Sequence, residues 1–239
     1  MKLAFISDIH GNAIALEAVL ANINKHAVDK IYVLGDICFR GPEPKRSLDL
    51  VRSLETDVIK GNADEWIVRG IIKDEVPVQV YETMSSEVNW TRSKLNAEDQ
   101  KYLKSLPTCL NIEHENSKIH AFHATPDDLF EVVLPSEIDE IIKEKLMKNS
   151  SADIFIYAHI HKPYIRYIDG KCIINIGSVG LPFDGLRKSS YALLNIEKDS
   201  FQTSIIRVDY DVQEVIQQFQ TLDYPNGELM TSIMLSGKV

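Results

Sequence analysis

Five times along this chain a short apolar run ends on a residue that binds metal ions well, and that repetition constrains the fold more than any other feature. The segments are Asp8-Ile9-His10, Gly35-Asp36, Gly61-Asn62, His123 and Ala158-His159-Ile160-His161. The runs before them are Leu3 to Ser7, Ile31 to Leu34, Val58-Ile59, Lys118 to Phe122 and Ile154 to Tyr157, each short enough for a buried strand. Between the first two, Asn12 is placed to cap a helix whose Leu16, Val19, Leu20 and Ile23 fall at i, i+3, i+4 and i+7. Asp49 to Arg52 continues another helical segment. Strands alternating with helices imply an α/β fold with parallel pairing and functional groups at the carboxyl ends of the strands.

The pattern changes from about residue 66 to 110. That stretch lacks a strong strand signal and reads as a helical insertion on a sheet edge. One helix lies around Glu82 to Ser93, and a second has Asn96 as N-cap, Asp99 at the third position, Leu103 and Leu106 on one face and Pro107 as its stop. Later strands are expected at Cys172 to Ile176, Tyr191 to Ile196 and Phe201 to Val208, with turns at Asp169-Gly170 and Lys198-Asp199. A final helix places Val212, Val215, Ile216, Phe219 and Leu222 on one face, and the residues from Pro225 onward read as a loosely attached tail. With no repeat, low-complexity segment or linker, residues 1–239 read as a single domain carrying the insertion.

In extended chain, residues i and i+2 point the same way, so Asp8 with His10, and His159 with His161, can face one site. Carboxylate, imidazole and amide oxygen together suit Mn²⁺, Fe²⁺/³⁺, Ni²⁺ or Zn²⁺ rather than an all-oxygen Ca²⁺ site. Taken alone, each segment is weak: Asp-x-His after a strand is more often a capping arrangement, and Gly-Asn is usually a turn. All five in this order, each at a strand end, have little bland explanation.

These motifs resemble those of the calcineurin-like metallophosphoesterases, in particular the small bacterial and archaeal phosphoesterases. The family pattern of Asp-x-His, Gly-Asp, Gly-Asn-His-Asp/Glu, His and Gly-His-x-His stands here as Asp8-Ile9-His10, Gly35-Asp36, Gly61-Asn62-Ala63-Asp64, His123 and Ala158-His159-Ile160-His161. Asn175 to Pro182 and Ser189 to Leu194 also look like this subgroup, so the likeness runs from Lys2 to about Tyr210. The resemblance implies a four-layer αββα sandwich of two mixed sheets flanked by helices. It also implies two divalent metal ions per chain, manganese foremost, one held by Asp8, His10 and His161 and the other by Asn62, His123 and His159. Asp36 would bridge both, and a metal-bridging hydroxide would attack phosphorus in line. Catalytic roles would fall to Asp36, Asn62 and Arg40, with Arg40 and Asn62 contacting substrate. The implied activity is hydrolysis of a phosphodiester or of a phosphoanhydride such as a dinucleoside polyphosphate. The alternatives are a phosphomonoesterase or protein phosphatase, and a non-catalytic interaction protein of the retromer-coat kind. In the last case replaced ligands are expected, whereas every ligand position is filled here.

Two departures matter. The family's usual His after Gly-Asn is Ala63, so the customary general acid is missing. The Gly of Gly-His-x-His is Ala158, a change of little consequence. Arg40, in Gly35-Asp36-Ile37-Cys38-Phe39-Arg40-Gly41, stands where the protein-phosphatase branch carries a phosphate-binding arginine; it reads equally well as a solvent-facing loop residue.

The net charge of −9 argues against a stable nucleic-acid complex but not against a phosphate substrate, since bound cations supply local positive charge. The expected partner is a small phosphate ester, nucleotides included. Three scattered cysteines, Cys38, Cys109 and Cys172, imply a reducing compartment. The first residues read as a strand rather than a signal peptide, and no apolar stretch approaches the ~20 residues that span a bilayer. A cytoplasmic enzyme is expected, homodimeric by base rate alone. Asp64 reads as an orienting partner of a ligand histidine or as a turn cap, and Cys38 as buried packing. His120 falls on the opposite face of its strand from His123, while His26 and His114 sit on surface segments.

Overall fold

In the computed structural model, which describes residues 1–198 and 200–239, two mixed β-sheets stack face to face between layers of helix. The first sheet has the order β2-β1-β8-β9, from Lys30–Val33, Lys2–Ile6, Ser189–Glu197 and Ser200–Val208. The second has the order β3-β4-β5-β7-β6, from Cys109–His114, Ser117–Phe122, Ile154–Tyr157, Lys171–Asn175 and Tyr164–Ile168. In the first sheet β1 runs parallel to β2 and antiparallel to β8, which pairs antiparallel with β9; in the second β4, β5 and β7 run parallel to one another and the edge strands β3 and β6 are antiparallel.

Why β1 reads as an unbroken apolar run is plain from its two faces. Leu3 and Phe5 enter the core between the sheets with Tyr32, Ile119, Ile154, Ile174 and Leu194. Ala4 and Ile6 point the other way, under a layer that includes α1 (Ala13–Ile23), α2 (Pro44–Ser53), α3 (Asn62–Arg69) and α4 (Val78–Ser93). A strand covered on both faces needs apolar residues at every position. On the far side, Phe122, Phe155, Tyr157 and Ile173 pack against Ile142 and Leu146 of α6 (Asp139–Leu146). His120 lies on that outer face against Phe122 and Phe155, as its strand parity required.

The caps fall where the sequence places them. Asn12 accepts the Ala15 N–H at 3.0 Å, and Asn96 and Asp99 cap each other across the first turn of α5 (Ala97–Ser105). Other expectations need correction. Val58 makes only an isolated parallel bridge to Val33, not a strand. The predicted helical stretch of residues 66–110 starts earlier, with α3 at Asn62, and its end is already strand, because β3 begins at Cys109. β6 and α6 have no counterpart in the reading above. Most important, the supposed tail forms α8 (Gly227–Ser236), whose Met230, Ile233 and Met234 are buried against Val215, Ile216 and Phe219 of α7 (Val212–Thr221). Leu222, expected on the buried face of α7, is 40% exposed. Asp199, half of one expected turn, lies outside the described residues. No described helix is long and apolar enough to cross a membrane.

Candidate metal centre

The predicted ligands gather where strands of both sheets end on the same edge. Just beyond β1, Asp8 and His10 donate their backbone N–H groups to the carbonyls of Gly35 (3.1 Å) and Asp36 (2.9 Å), so the loops after β1 and β2 are zipped together. Asn175 to Pro182 closes over them: Gly180 N–H and the Ser178 hydroxyl both donate to the Asp8 carbonyl, at 2.9 and 2.7 Å. Gly35 and Gly61 are required by contact. A Cβ on Gly35 would stand 2.2 Å from the Gly61 nitrogen, and one on Gly61 would stand 2.1 Å from Asp36 Oδ1.

The backbone is bent to aim these side chains. Asp8, His10, Asp36, His159 and His161 all sit at positive φ, between 49° and 65°, and Arg40 joins them at 68°. Non-glycine residues adopt this region at an expense of about 1–3 kcal/mol each and do so mostly at functional sites.

Each candidate ligand imidazole is anchored by its outer nitrogen. His10 Nδ1–H donates to Phe39 O (2.8 Å), His123 Nδ1–H to Leu34 O (2.7 Å), His161 Nδ1–H to Leu181 O, and His159 Nε2–H to Phe130 O (3.2 Å). Tautomers fixed this way turn the remaining lone pairs inward, the arrangement a metal-ligating histidine needs. His10 Nε2 and His161 Nε2 then face each other at 3.1 Å, with Asp8 Oδ1 3.0 Å from the latter. Asp8 Oδ1 is buried without any hydrogen-bond partner. Asp8, His10, Asp36 and His161 place one ligand atom each within 4.8 Å of one another. Bonds of about 2.1 Å to a common ion give ligand–ligand edges of about 3 Å, so this donor set fits a cation.

A second set adjoins it. Asn62 Oδ1 lies 3.0 Å from His123 Nε2 and 2.9 Å from His159 Nδ1. Between the two sets stands Asp36 Oδ2, 3.6 Å from His10 Nε2 and 3.4 Å from His123 Nε2. The other Asp36 oxygen accepts the Ala63 N–H at 2.8 Å, which leaves Oδ2 for the ligand side.

The field here favours positive charge. Burial opposes protonation of His123, but the Asp36 carboxylate beside it prevails and lifts its pKa to about 9. His10 is raised too, against its burial, by Asp8 and Asp36. Burial favours protonated Asp8, yet the neighbouring histidines hold it well below the usual carboxylate range. His159, desolvated and next to His123, falls to about 4 and is a neutral donor at ordinary pH.

The structure decides between the two readings of Asp64. Its carboxylate accepts the backbone N–H groups of Asp36 (2.8 Å), Ile37 (3.0 Å) and Gly61 (3.0 Å), so it is a turn cap that holds two ligand loops together. Desolvation and the nearby Asp36 raise it to about 6. Cys38 is buried packing. Arg40 is no solvent-facing loop residue. It lines a cavity of about 100 Å³ above the ligands, together with Ala63, Trp66, Phe39 and Phe183, and its Nε–H donates to Glu87 at 3.3 Å. Glu87, Trp66 and the Phe130 carbonyl are parts of the site that sequence reasoning missed. Glu87 belongs to a helical face that is otherwise ordinary, and nothing local marks it.

Residues 1–199 match the model of the calcineurin-like phosphoesterase superfamily domain. An uncharacterized protein of Methanocaldococcus jannaschii is 30% identical over 233 residues, 90% of each chain. A metallophosphoesterase from Sphaerobacter thermophilus superposes with a TM-score of 0.79 at 27% identity, covering 99% of both chains. A hypothetical protein from Pyrococcus horikoshii superposes at 0.86 with 21% identity over 100% of this chain and 99% of its own, a likeness of fold.

Proposed function

The chain belongs to the calcineurin-like phosphoesterase superfamily, and we propose that it hydrolyses a phosphodiester or a phosphoanhydride such as a dinucleoside polyphosphate, using two divalent ions. Asp8, His10 and His161 would hold one ion and Asn62, His123 and His159 the other, with Asp36 shared. The observation that carries this reading is the convergence of Asp8, His10, Asp36 and His161 around an orphaned, fully buried carboxylate oxygen. Ions so held supply a nucleophile at neutral pH and neutralise charge on the phosphate oxygens. Manganese is the first choice, with iron, nickel or zinc compatible with the same donors.

The chain's own residues then narrow the substrate. Arg40 reaches the same cavity as the ligand atoms and offers N–H groups to phosphate oxygens. Ala63 lines that cavity with a methyl group where a proton donor would stand, so the leaving group must depart with little help. Aryl esters and anhydrides do so; alkyl monoesters do not. The space beside Ala63 also admits a second substituent on phosphorus. Three free cysteines support a reducing, cytoplasmic setting.

A screen with Mn²⁺ supplied, covering bis-aryl phosphates, a mono-aryl phosphate, cyclic nucleotides and dinucleoside polyphosphates, tests the reading. Diesters or polyphosphates are expected to lead. Asp36→Asn should lose metal content and activity together, since the repulsion between two dications is then poorly screened. A wild-type protein holding at most one Mn²⁺ per chain at full activity would overturn the shared role of Asp36.

A further inference from the structure

Glu87 lies on α4, far in sequence from every ligand, and its side chain is completely buried. One carboxylate oxygen accepts the Arg40 Nε–H at 3.3 Å, and the other, Oε1, has no hydrogen-bond partner. The neighbouring Tyr224 hydroxyl is likewise buried and interacts with Glu87 without making a well-formed hydrogen bond. Burial first, and then the charge of Glu87, hold that phenol well above its usual range, so it stays a neutral O–H. Trp90, one turn further along α4, packs edge-on against Tyr224 with ring centroids 4.8 Å apart. The helical insertion and the segment between α7 and α8 thus meet behind Arg40.

Such a carboxylate is poorly explained by stability. Desolvating it and leaving an oxygen unpaired is unfavourable, and an apolar side chain beside Met84 and Val88 would pack there without that penalty. Arg40 itself has little freedom of other origin. Its backbone is fixed at φ 68°, and the preceding carbonyl, Phe39 O, anchors the imidazole of His10. What remains adjustable is the guanidinium, and Glu87 holds it by Nε–H. That leaves the two terminal NH₂ groups as the part available to a phosphate oxygen in the cavity.

We propose that Glu87 is a positioning residue for Arg40, through which the helical insertion contributes to anion recognition at the metal centre. This rests on the phosphoesterase reading for its kinetic consequence but not for its structural one. A carboxylate behind the arginine sets where the guanidinium points and keeps a cation there when no substrate is bound.

The test uses the full chain loaded with Mn²⁺, bis(p-nitrophenyl) phosphate as substrate and inorganic phosphate as inhibitor. Glu87→Met, which keeps volume and removes the acceptor, should lower kcat/KM and weaken phosphate inhibition by about tenfold, and Glu87→Gln, which keeps an oxygen for Nε–H, by less. In an Arg40→Ala background Glu87→Met should change kcat/KM by less than about twofold, because the two residues act as one unit. An equal penalty in both backgrounds would mean that Glu87 acts through the fold, and the proposal is then wrong. A separate readout needs no turnover: the Arg40 Nε–H resonance, identified by its loss in Arg40→Ala, should be protected from solvent exchange in the wild type and unprotected in Glu87→Met. If the wild type shows no turnover, the phosphoesterase reading fails and the resonance alone decides: protection unchanged in folded Glu87→Met, or in Glu87→Leu should the Met variant not fold, overturns the placement. Loss of protection in that variant, with Glu87→Gln keeping more of it, upholds it.

Discussion

At the scale of single residues, His123 carries the clearest pH signature. Without an ion its proton is held between Asp36 and Asn62, and its pKa of about 9 lies above the unperturbed 6.5. A raised histidine stabilises the metal-free protein fully below pH 6.5, and that contribution is lost as pH rises through about 9. An ion must displace the proton, so metal affinity has the opposite slope. Between pH 6.5 and 8.5 the apparent Kd for Mn²⁺ should fall by about tenfold per pH unit, while the Tm of metal-free protein declines. Calorimetric titration and thermal melts across that range check both, and a pH-independent Kd would remove His123 from the ligand set. Ala63 gives a second test. Ala63→His should raise activity on alkyl monoesters relative to aryl diesters by up to ~10²–10⁴-fold, the range general acid catalysis supplies. The measurement is kcat/KM across a leaving-group series. A shallow dependence on leaving-group pKa in the natural protein would show that another group already donates the proton. The convergence of Asp8, His10, Asp36 and His161 was legible because carboxylate and imidazole donors at successive strand ends are rare by chance. Glu87 was not, since one carboxylate on an amphipathic helix looks like any solvated residue until α4 is folded over the Arg40 loop.

Among the elements, strands with two covered faces announced themselves, and the two edges of the larger sheet did not. β1 and β5 are apolar at almost every position, whereas β6, with Tyr164-Ile165-Arg166-Tyr167-Ile168, is an edge strand that leaves Tyr167 61% exposed and so alternates weakly. β3 is the opposite edge of the same sheet and has the same ambiguity. α6 needs only Ile142 and Leu146 to seat it, too few to read as a stripe. α8 was hidden by Pro225-Asn226-Gly227, which signals a loop and does not reveal that a short helix follows with Met230, Ile233 and Met234 on one side. That helix is an integral part of the packing, which a single truncation can show. Met230 has no solvent exposure, so Met230→Ala should destabilise by about 2–5 kcal/mol, as for other buried large-to-small changes. Urea unfolding of the metal-free protein measures it, and a change below about 0.5 kcal/mol would return the segment to a loosely attached tail.

For the molecule as a whole, the candidate ligands come from both sheets: Asp8 and His10 follow β1, Asp36 follows β2, His123 follows β4, and His159 and His161 follow β5. Ions placed there would tie the two sheets at one edge, so metal should act as a clamp between layers. Free Mn²⁺ at a hundred times its Kd would stabilise the fold by about 2.7 kcal/mol for each ion. Chelation should therefore lower Tm by several degrees while leaving secondary structure unchanged, and hydrogen exchange should quicken most at the ends of β1, β4 and β5. Equal Tm with and without chelator would argue that the sheets hold the site rather than the reverse. The central place of β1 has a consequence for synthesis. Its parallel partner β2 emerges soon after it, but its other edge waits for β8; even the Met1 ammonium donates to Ile196 O, 195 residues away. At translation rates of about 5–20 residues per second, that edge stays open on the ribosome for roughly 10–40 s. During that interval a nascent chain that already carries Asp8, His10 and Asp36 offers an unsatisfied strand to any neighbour, which makes slow codons upstream of β8 a hazard and a chaperone that covers β1 a benefit in heterologous production.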